Sequence, residues 1–598
     1  MLQKTEFEFL YKLKQNKMRV CTQREISESM GISLGKANKL IHELASRCLI
    51  NSQASSYTIT KAGIEALKPY KVNNAVIMAA GMSSRFAPLS YEKPKGLLTV
   101  KGEILIEREI RQLQKAGIKD ITVVVGYMKE KFFYLEEKFN IKIIVNEDYY
   151  RYNNTSTLIK VLDRLSNTYI CSSDNYFVDN VFEEYVYQAY YSAVYSAGDT
   201  DEYCLSCDAH GRIKSVTIGG SNSWYMLGHV YFDNIFSKKF TRILKKEYVN
   251  QKTREHLWEN LYMRYIKELD LYIKKYDSGK VLEFDSLDEL RHFDKEYINN
   301  ADSGILRNIC RVLDCEIKDI VSIVAINAGI TNTSFKFMVN GQEYVYRHPG
   351  NGTEKYINRN SEAESMKIAF KLGLDDTFIY MDSAKGWKIS KYIEEARELD
   401  YHNISEVSAA VSMMKILHNQ NIKSEFDFGL WDKTQKFIGQ LKALGKTNFD
   451  GFDDLLSLIT KVNNEIKSDG YGRRCLCHND CYSPNFLLDK NNKMFLIDWE
   501  YSGNDDPASD LGTFICCSGY SYNESLEIIK LYNPKILDND KELAHYIGYI
   551  AEASYYWYIW ALYQETRGNS AGSWLYMWYK NSKIYGKKTL ELLGKWQE

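Results

Sequence analysis

The spacing of three polar residues constrains this chain most. Asp480 lies in Cys477-His478-Asn479-Asp480, Asn485 follows five residues later, and Asp498 closes the apolar run Phe495-Leu496-Ile497. A carboxylate, an amide and a second carboxylate meet the needs of phosphoryl transfer. Asp480 would accept a hydroxyl proton, while Asn485 and Asp498 would hold Mg²⁺ against nucleotide phosphates. A surface turn followed by an amphipathic strand is the alternative reading. It leaves unexplained why separated positions fit one mechanism.

At 598 residues the chain has room for several domains. Its net charge of −1 gives no global field toward nucleic acid or membrane. No apolar run approaches the roughly 20 residues of a spanning helix, and the polar N-terminus is unlike a signal peptide. No membrane insertion and a cytoplasmic location are therefore expected. The twelve cysteines are scattered. Cys204-x-x-Cys207 has no second pair to complete a zinc site, and Cys516-Cys517 reads as two small buried hydrophobes.

Residues 1–70 hold two helix signals. Thr22 with Glu25 forms a capping box, Gly31 ends that helix, and Ser33 caps a second carrying Leu40, Ile41 and Leu44 on one face. A short Gly-containing turn between helices, followed by two strand-like runs, resembles bacterial winged-helix domains. Excess Lys and Arg suit DNA phosphates; use in protein contact alone is the alternative.

Residues 71–300 begin with the buried run Ala75-Val76-Ile77-Met78, which enters Ala79-Ala80-Gly81-Met82-Ser83-Ser84-Arg85, with Lys95 further on. Ala80, Gly81, Met82, Ser83 and Ser84, all small but Met82, form a loop where backbone approaches a triphosphate, and Arg85 and Lys95 place cations where pyrophosphate would leave. Helix and strand runs then alternate, predicting a parallel, Rossmann-like sheet. This segment resembles the sugar-phosphate nucleotidyltransferases, and within them the bacterial CTP:phosphocholine cytidylyltransferases. It matches at Pro94-Lys95, Tyr152-Asn153-Asn154, Asp174-Asn175-Tyr176 and Glu283-Phe284-Asp285. The resemblance implies Mg²⁺ held by Asp174 and Asp285, and it makes Asn154 a candidate for reading the base. Trp224 and Trp258 are candidate walls for a trimethylammonium group; ordinary core packing is the competing expectation.

Residues 305–598 contain the opening motif. The segment resembles the choline/ethanolamine kinases, and aminoglycoside phosphotransferases more distantly. Residues 325–335 fit a nucleotide-covering loop containing Asn332, Arg347 stands where kinases place a Lys, and Glu362 is its expected partner. Glu500 follows Asp498 in the stretch that replaces D-F-G. Trp557 and Trp560 share a helix face. With Tyr576 they match the family's aromatic box, the chemistry that recognises a quaternary ammonium.

The expected fold class is multidomain, α/β and α+β: a winged helix, a Rossmann-like nucleotidyltransferase domain and a protein-kinase-like domain. The expected function is CDP-choline synthesis from choline, ATP and CTP through phosphocholine, supplying cell-surface polymers. The alternatives are ethanolamine or another amino alcohol as substrate, or a DNA-binding regulator that senses these metabolites. A homo-oligomer is compatible with either.

Overall fold

The computed structural model describes every residue except 16, 18–21, 54–55, 296–302, 327–331, 351–352, 354–356, 568–569 and 597–598. The centre of the expected nucleotide-covering loop and most of the expected boundary at 295–304 therefore lie outside the described residues. Two compact units, Met1–Asn308 and Ile309–Glu598, carry separate cores.

The first unit opens with α1 (Lys4–Lys14), α2 (Gln23–Met30), α3 (Leu34–Ser46), the antiparallel pair β1 (Ile50–Gln53) and β2 (Ser56–Ile59), and α4 (Lys61–Leu67). The Thr22–Glu25 capping box forms, which is worth about 1 kcal/mol. Gly31 ends α2 in the left-handed conformation, at φ 60°. The inner face of α3 buries Ala37, Leu40, Ile41 and Leu44, while Lys36, Asn38, Lys39 and His42 stay exposed.

Next come β3 (Asn74–Ala79), α5 (Leu105–Lys115), β4 (Ile121–Val125), β5 (Lys142–Val145), β6 (Thr168–Ser172) and β7 (Asn175–Phe177). The unit continues with the long hairpin β8 (Tyr190–Cys207) and β9 (Ile213–Phe232), α6 (Asn234–Glu247), α7 (Trp258–Arg264), β10 (Tyr272–Tyr276) and β11 (Val281–Glu283). One seven-stranded sheet runs in the order β10-β8-β9-β6-β3-β4-β5. Strands β3 to β6 are parallel, as strand–helix alternation predicts, and β9 joins β6 antiparallel. Separately, β11 pairs antiparallel with β7 and sets Glu283 opposite Asn175. That register brings the end of the transferase segment back beside Asp174.

The second unit has a five-stranded antiparallel sheet. It comprises β12 (Val321–Ile326), β13 (Asn332–Val339), β14 (Gln342–Pro349), β15 (Phe378–Asp382) and β16 (Trp387–Lys391), with α8 (Arg359–Lys371) between β14 and β15. A helical lobe follows, with α9 (Ile404–Asn419), strand β17 (Cys475–Cys477), the hairpin β18 (Phe486–Leu488) and β19 (Met494–Leu496), and β20 (Gly503–Asp505) paired with β17. Three helices complete it: α10 (Pro507–Cys516), α11 (Asp540–Thr566) and α12 (Ser573–Leu592). Pairing of Phe486 with Leu496, extended by the bond from Ile497 N to Asn485 O at 2.9 Å, brings Asn485 close to Asp498. No helix among the described residues is long and apolar enough to cross a membrane.

Candidate active sites

In the first unit the loop after β3 and the turns after β5 and β6 line a cavity of about 410 Å³. Ala80, Gly81, Ser83, Lys95, Asn154 and Asp174 all border it. Ser84 and Arg85 belong to the 3₁₀ turn Ser84–Phe86, and exposed Arg85 lies close enough to act on Glu202 of the hairpin. Met82 is exposed beside that cavity rather than in its lining. Gly96 is required because a Cβ there would meet the Ser173 side chain at 2.8 Å. That close approach seats buried Lys95 on Asp174, with Nζ 3.0 Å from Oδ2 and 3.9 Å from Glu283 Oε1.

Asp285 and Glu202 add their charge to this group. The carboxylate of Asp174 pushes Glu283 up to about 8, helped by burial. Burial alone would raise Asp174, but Lys95 holds it below the usual range. Asp174 Oδ1 is buried without a hydrogen-bond partner among the described residues. An orphaned carboxylate oxygen amid further carboxylates fits a hard divalent cation.

A second cavity of about 200 Å³ adjoins the first, sharing Met78, Asn154 and Ser172. Glu202, Glu259, Glu283, Tyr191, Tyr203 and Trp258 line it. Burial raises Glu259 to about 6, and its carboxylate accepts from Tyr191 Oη at 3.1 Å. Asn154 is used here: its Oδ1 accepts the Trp258 N–H at 2.7 Å, and its Nδ2 reaches Glu259 at 3.4 Å. Its side chain thus helps build the wall between the two cavities while bordering the first.

The pairing of Trp224 with Trp258 does not hold. Trp258 is 1 % exposed, stacked on Tyr191 and packed edge-on against Phe232 and Phe240, so only an edge reaches the second cavity. Trp224 lies outside that lining; the Lys275 ammonium sits 4.7 Å from its ring centroid and Tyr195 covers it further.

In the second unit a loop enters from β17. Asp510 braces it, accepting from the backbone N–H of His478 at 2.8 Å and of Asn479 at 2.5 Å, and from His418 Nε2 at 2.9 Å. His418 Nδ1 meets Tyr532 Oη at 2.9 Å, so the buried group His418, Cys477 and Asp510 has its hydrogen bonds filled internally. His478, kept neutral by burial, donates from Nε2 to Ile497 O and accepts the Asp480 N–H at Nδ1. Asn479 and Asp498 take left-handed backbone at φ 65° and 62°, which Asn and Asp tolerate best after Gly.

The Asn485 amide donates to Asp480 O at 2.8 Å and Oδ2 at 3.0 Å. Burial, then Asp498 and Glu500, push Asp480 well above the ordinary carboxylate range. Arg347 meets Glu362 with Nη1 at 2.6 Å and Nη2 at 2.8 Å, and Nη1 lies 3.3 Å from Asp498. Glu362 is fully buried, yet its neighbouring cations hold it below the usual range. Asn332 donates to Glu500 at 2.9 Å.

Sequence reasoning missed Arg359, 2.8 Å from Glu362, and Lys388, 3.1 Å from Glu362 and 3.6 Å from Asp498. Neither carries a local motif; the fold brings them in from α8 and β16.

Beside Asp480, Asp498 and Glu500 opens a cavity of about 460 Å³ walled by Trp557, Trp560, Trp574, Trp578 and Tyr501. Trp557 stands edge-on to Trp560 at 5.5 Å and stacks on Trp578 at 6.0 Å. Tyr576 does not belong to it: it is 70 % exposed on α12 and outside the lining. Residues 574 and 578 are four apart and share a helix face, and 576 points away from both. That spacing was the readable signal for the missed tryptophans.

The model of the MobA-like NTP transferase domain matches residues 75–225, and that of choline/ethanolamine kinase matches residues 323–570. A choline-phosphate cytidylyltransferase from Streptococcus pneumoniae is 31% identical over 221 residues, spanning 37% of this chain and 96% of that protein. A 2-aminoethylphosphonate cytidylyltransferase from Lancefieldella rimae is 35% identical over 229 residues, spanning 38% of this chain and 93% of that protein. The chain belongs to the nucleotidyltransferase family. Protein LicA of Haemophilus influenzae is 27% identical over 256 residues, spanning 41% of this chain and 94% of that protein. This nucleotidyltransferase therefore carries a fused kinase domain, and the chain is bifunctional, transferring nucleotidyl and phosphoryl groups. Transferases of both kinds typically need a divalent metal ion.

Proposed function

We propose that this chain makes CDP-choline in two steps. The second unit phosphorylates choline with ATP. The first unit joins phosphocholine to CTP and releases pyrophosphate. The observation that carries this reading is the tryptophan-walled cavity opening onto Asp480. A quaternary ammonium donates no hydrogen bond, and aromatic faces attract it by about 0.5–2 kcal/mol each.

In the kinase site Asp480 takes the choline hydroxyl proton as that oxygen bonds to the γ-phosphorus of ATP and the bond from that phosphorus to the bridging oxygen breaks, releasing ADP. Arg347, Arg359 and Lys388 fix Glu362, Asp498 and Glu500 in place, and Asn332 belongs to the nucleotide side. Asn485 and Asp498 would hold Mg²⁺, which neutralises charge on the phosphates.

In the transferase site the 80–84 loop and Arg85 cradle the triphosphate of CTP. A phosphocholine oxygen forms the new bond to the α-phosphorus as the bond to pyrophosphate breaks. Lys95 sits where that charge develops, and Asp174 and Asp285 would hold Mg²⁺. The trimethylammonium end lies among Glu202, Glu259, Glu283 and Tyr203, where carboxylates rather than a tryptophan cage supply the attraction. The supply of ATP and CTP sets the reaction in the cytoplasm, and the product would serve surface-polymer decoration.

Mass spectrometry of products from ATP, CTP, Mg²⁺ and choline tests the scheme. Wild type should give CDP-choline, Asp498→Asn should need added phosphocholine, and Asp174→Asn should stop at phosphocholine. Preferential use of ethanolamine or 2-aminoethylphosphonate would overturn the choline assignment.

We also propose that residues 1–70 form a winged helix that offers α3 to duplex DNA. Eleven Lys and Arg against six Glu in this segment, in a chain of net charge −1, support that reading. Salt-sensitive gel retardation of duplex DNA lost in Lys36→Ala/Lys39→Ala would support it; no retardation at low salt would end it.

A further inference from the structure

The twelve residues 178–189 connect β7, which begins immediately after Asp174, to β8, whose hairpin carries Glu202. They contain no helix or strand of their own. Their two ends are fastened by the transferase domain itself. Arg108 Nη2 donates to Val178 O at 2.8 Å, Asn180 Nδ2 donates to Gln112 O at 2.8 Å, and Ala189 N donates to Asp233 at 3.1 Å.

The middle is gripped from the N-terminal segment. Val72 N donates to Glu184 O and Val186 N to Tyr70 O, both at 2.9 Å, so residues 70–72 run antiparallel to 184–186. From the other side α1 closes down. Tyr11 packs on Tyr185 at 5.5 Å, Phe7 on Tyr187 at 5.5 Å, and Lys14 Nζ meets Glu184 at 2.8 Å. Tyr187 stacks on Tyr70 at 5.5 Å and donates to Leu2 O at 3.2 Å. On the transferase side the middle has the half-exposed Lys274–Glu183 pair at 3.5 Å, the bond from Glu183 N to Tyr169 Oη at 3.3 Å, and Phe182 and Val186 buried in the core.

We infer that α1 is a positioning element for nucleotidyl transfer: it holds the segment that joins Asp174 to Glu202. The inference rests on the first unit's proposed chemistry. Alignment of reacting groups is sensitive to displacements near 1 Å, which cost up to about a hundredfold in rate. The N-terminal segment is therefore part of the catalytic scaffold, whatever its α3 face binds.

The test uses the whole chain: an unchanged KM for CTP reports that the first unit stays folded, and the kinase rate reports on the second. The variant is Tyr11→Ala/Lys14→Ala, with Tyr11→Phe/Lys14→Arg as the conservative control. Expected are faster hydrogen exchange at 183–187 and 175–177, and a kcat for CDP-choline from CTP and phosphocholine lowered about fivefold or more. The KM for CTP and the kinase rate should stay within about twofold, and the control should match wild type. Faster exchange with unchanged kcat, unchanged exchange, or parallel loss of both activities would each overturn the inference. A wild-type chain that makes no CDP-choline would instead overturn the functional reading, while exchange still reports whether α1 clamps the segment.

Discussion

Arg347 Nη1 lies 2.6 Å from Glu362 Oε1 and 3.3 Å from Asp498 Oδ1, so one guanidinium ties a buried helix carboxylate to a candidate metal ligand. Removing one member of a buried ion pair strands the other, at about 3–5 kcal/mol. Glu362→Gln should lower choline phosphorylation about a hundredfold, and Arg347→Lys by less, since Lys keeps the charge but not the fork. A coupled assay for ADP release reads both, and cytidylyl transfer from added phosphocholine should be unchanged.

Asp480→Asn should reduce kinase kcat about a thousandfold with little change in the KM for ATP. Because burial and two neighbouring carboxylates hold Asp480 well above the usual range, the free enzyme's kinase rate should rise with pH across that titration. A pH profile of kcat/KM that is flat on the acid side would contradict the assignment.

Trp557→Ala and Trp574→Ala should each raise the KM for choline about tenfold or more, with a smaller effect on ethanolamine. Tyr576→Ala should stay within about twofold, because its ring is in solvent. Steady-state kinetics on the three variants separate the observed box from the one expected from sequence.

Glu259 provides a pH signature in the other domain. Its folded value, about 6, is raised from 4.5 by burial. Its stabilising contribution is therefore complete below about 4.5 and is lost as pH rises through about 6. Attraction for a cationic head group runs oppositely, since only the ionised form supplies it. The KM for phosphocholine should rise several-fold from pH 7 to pH 5, and Glu259→Gln should flatten that dependence.

Motifs whose chemistry needs fixed local spacing were legible in the sequence. Asp480 and Asn485 meet as their spacing suggests, Arg347 meets Glu362 as the kinase resemblance implies, and Ala79, Ala80, Gly81 and Ser83 line the transferase cavity, with Met82 and Arg85 outside its lining. Continuous apolar runs likewise exposed the parallel strands, because β3 and β4 are buried on both faces. Contributions arriving from distant elements left no local trace: Lys388 from β16, Arg359 from α8 and Glu202 from a hairpin edge. Tyr576 failed for a different reason. On α12 the tryptophans at 574 and 578 occupy the cavity face, and 576 lies off that face in solvent.

Four of the chain's ten tryptophans, Trp557, Trp560, Trp574 and Trp578, border one cavity. The indole rings that would enclose the substrate are also the dominant local fluorophores. Filling that cavity should therefore change the protein's own emission, giving an optical titration of the kinase site.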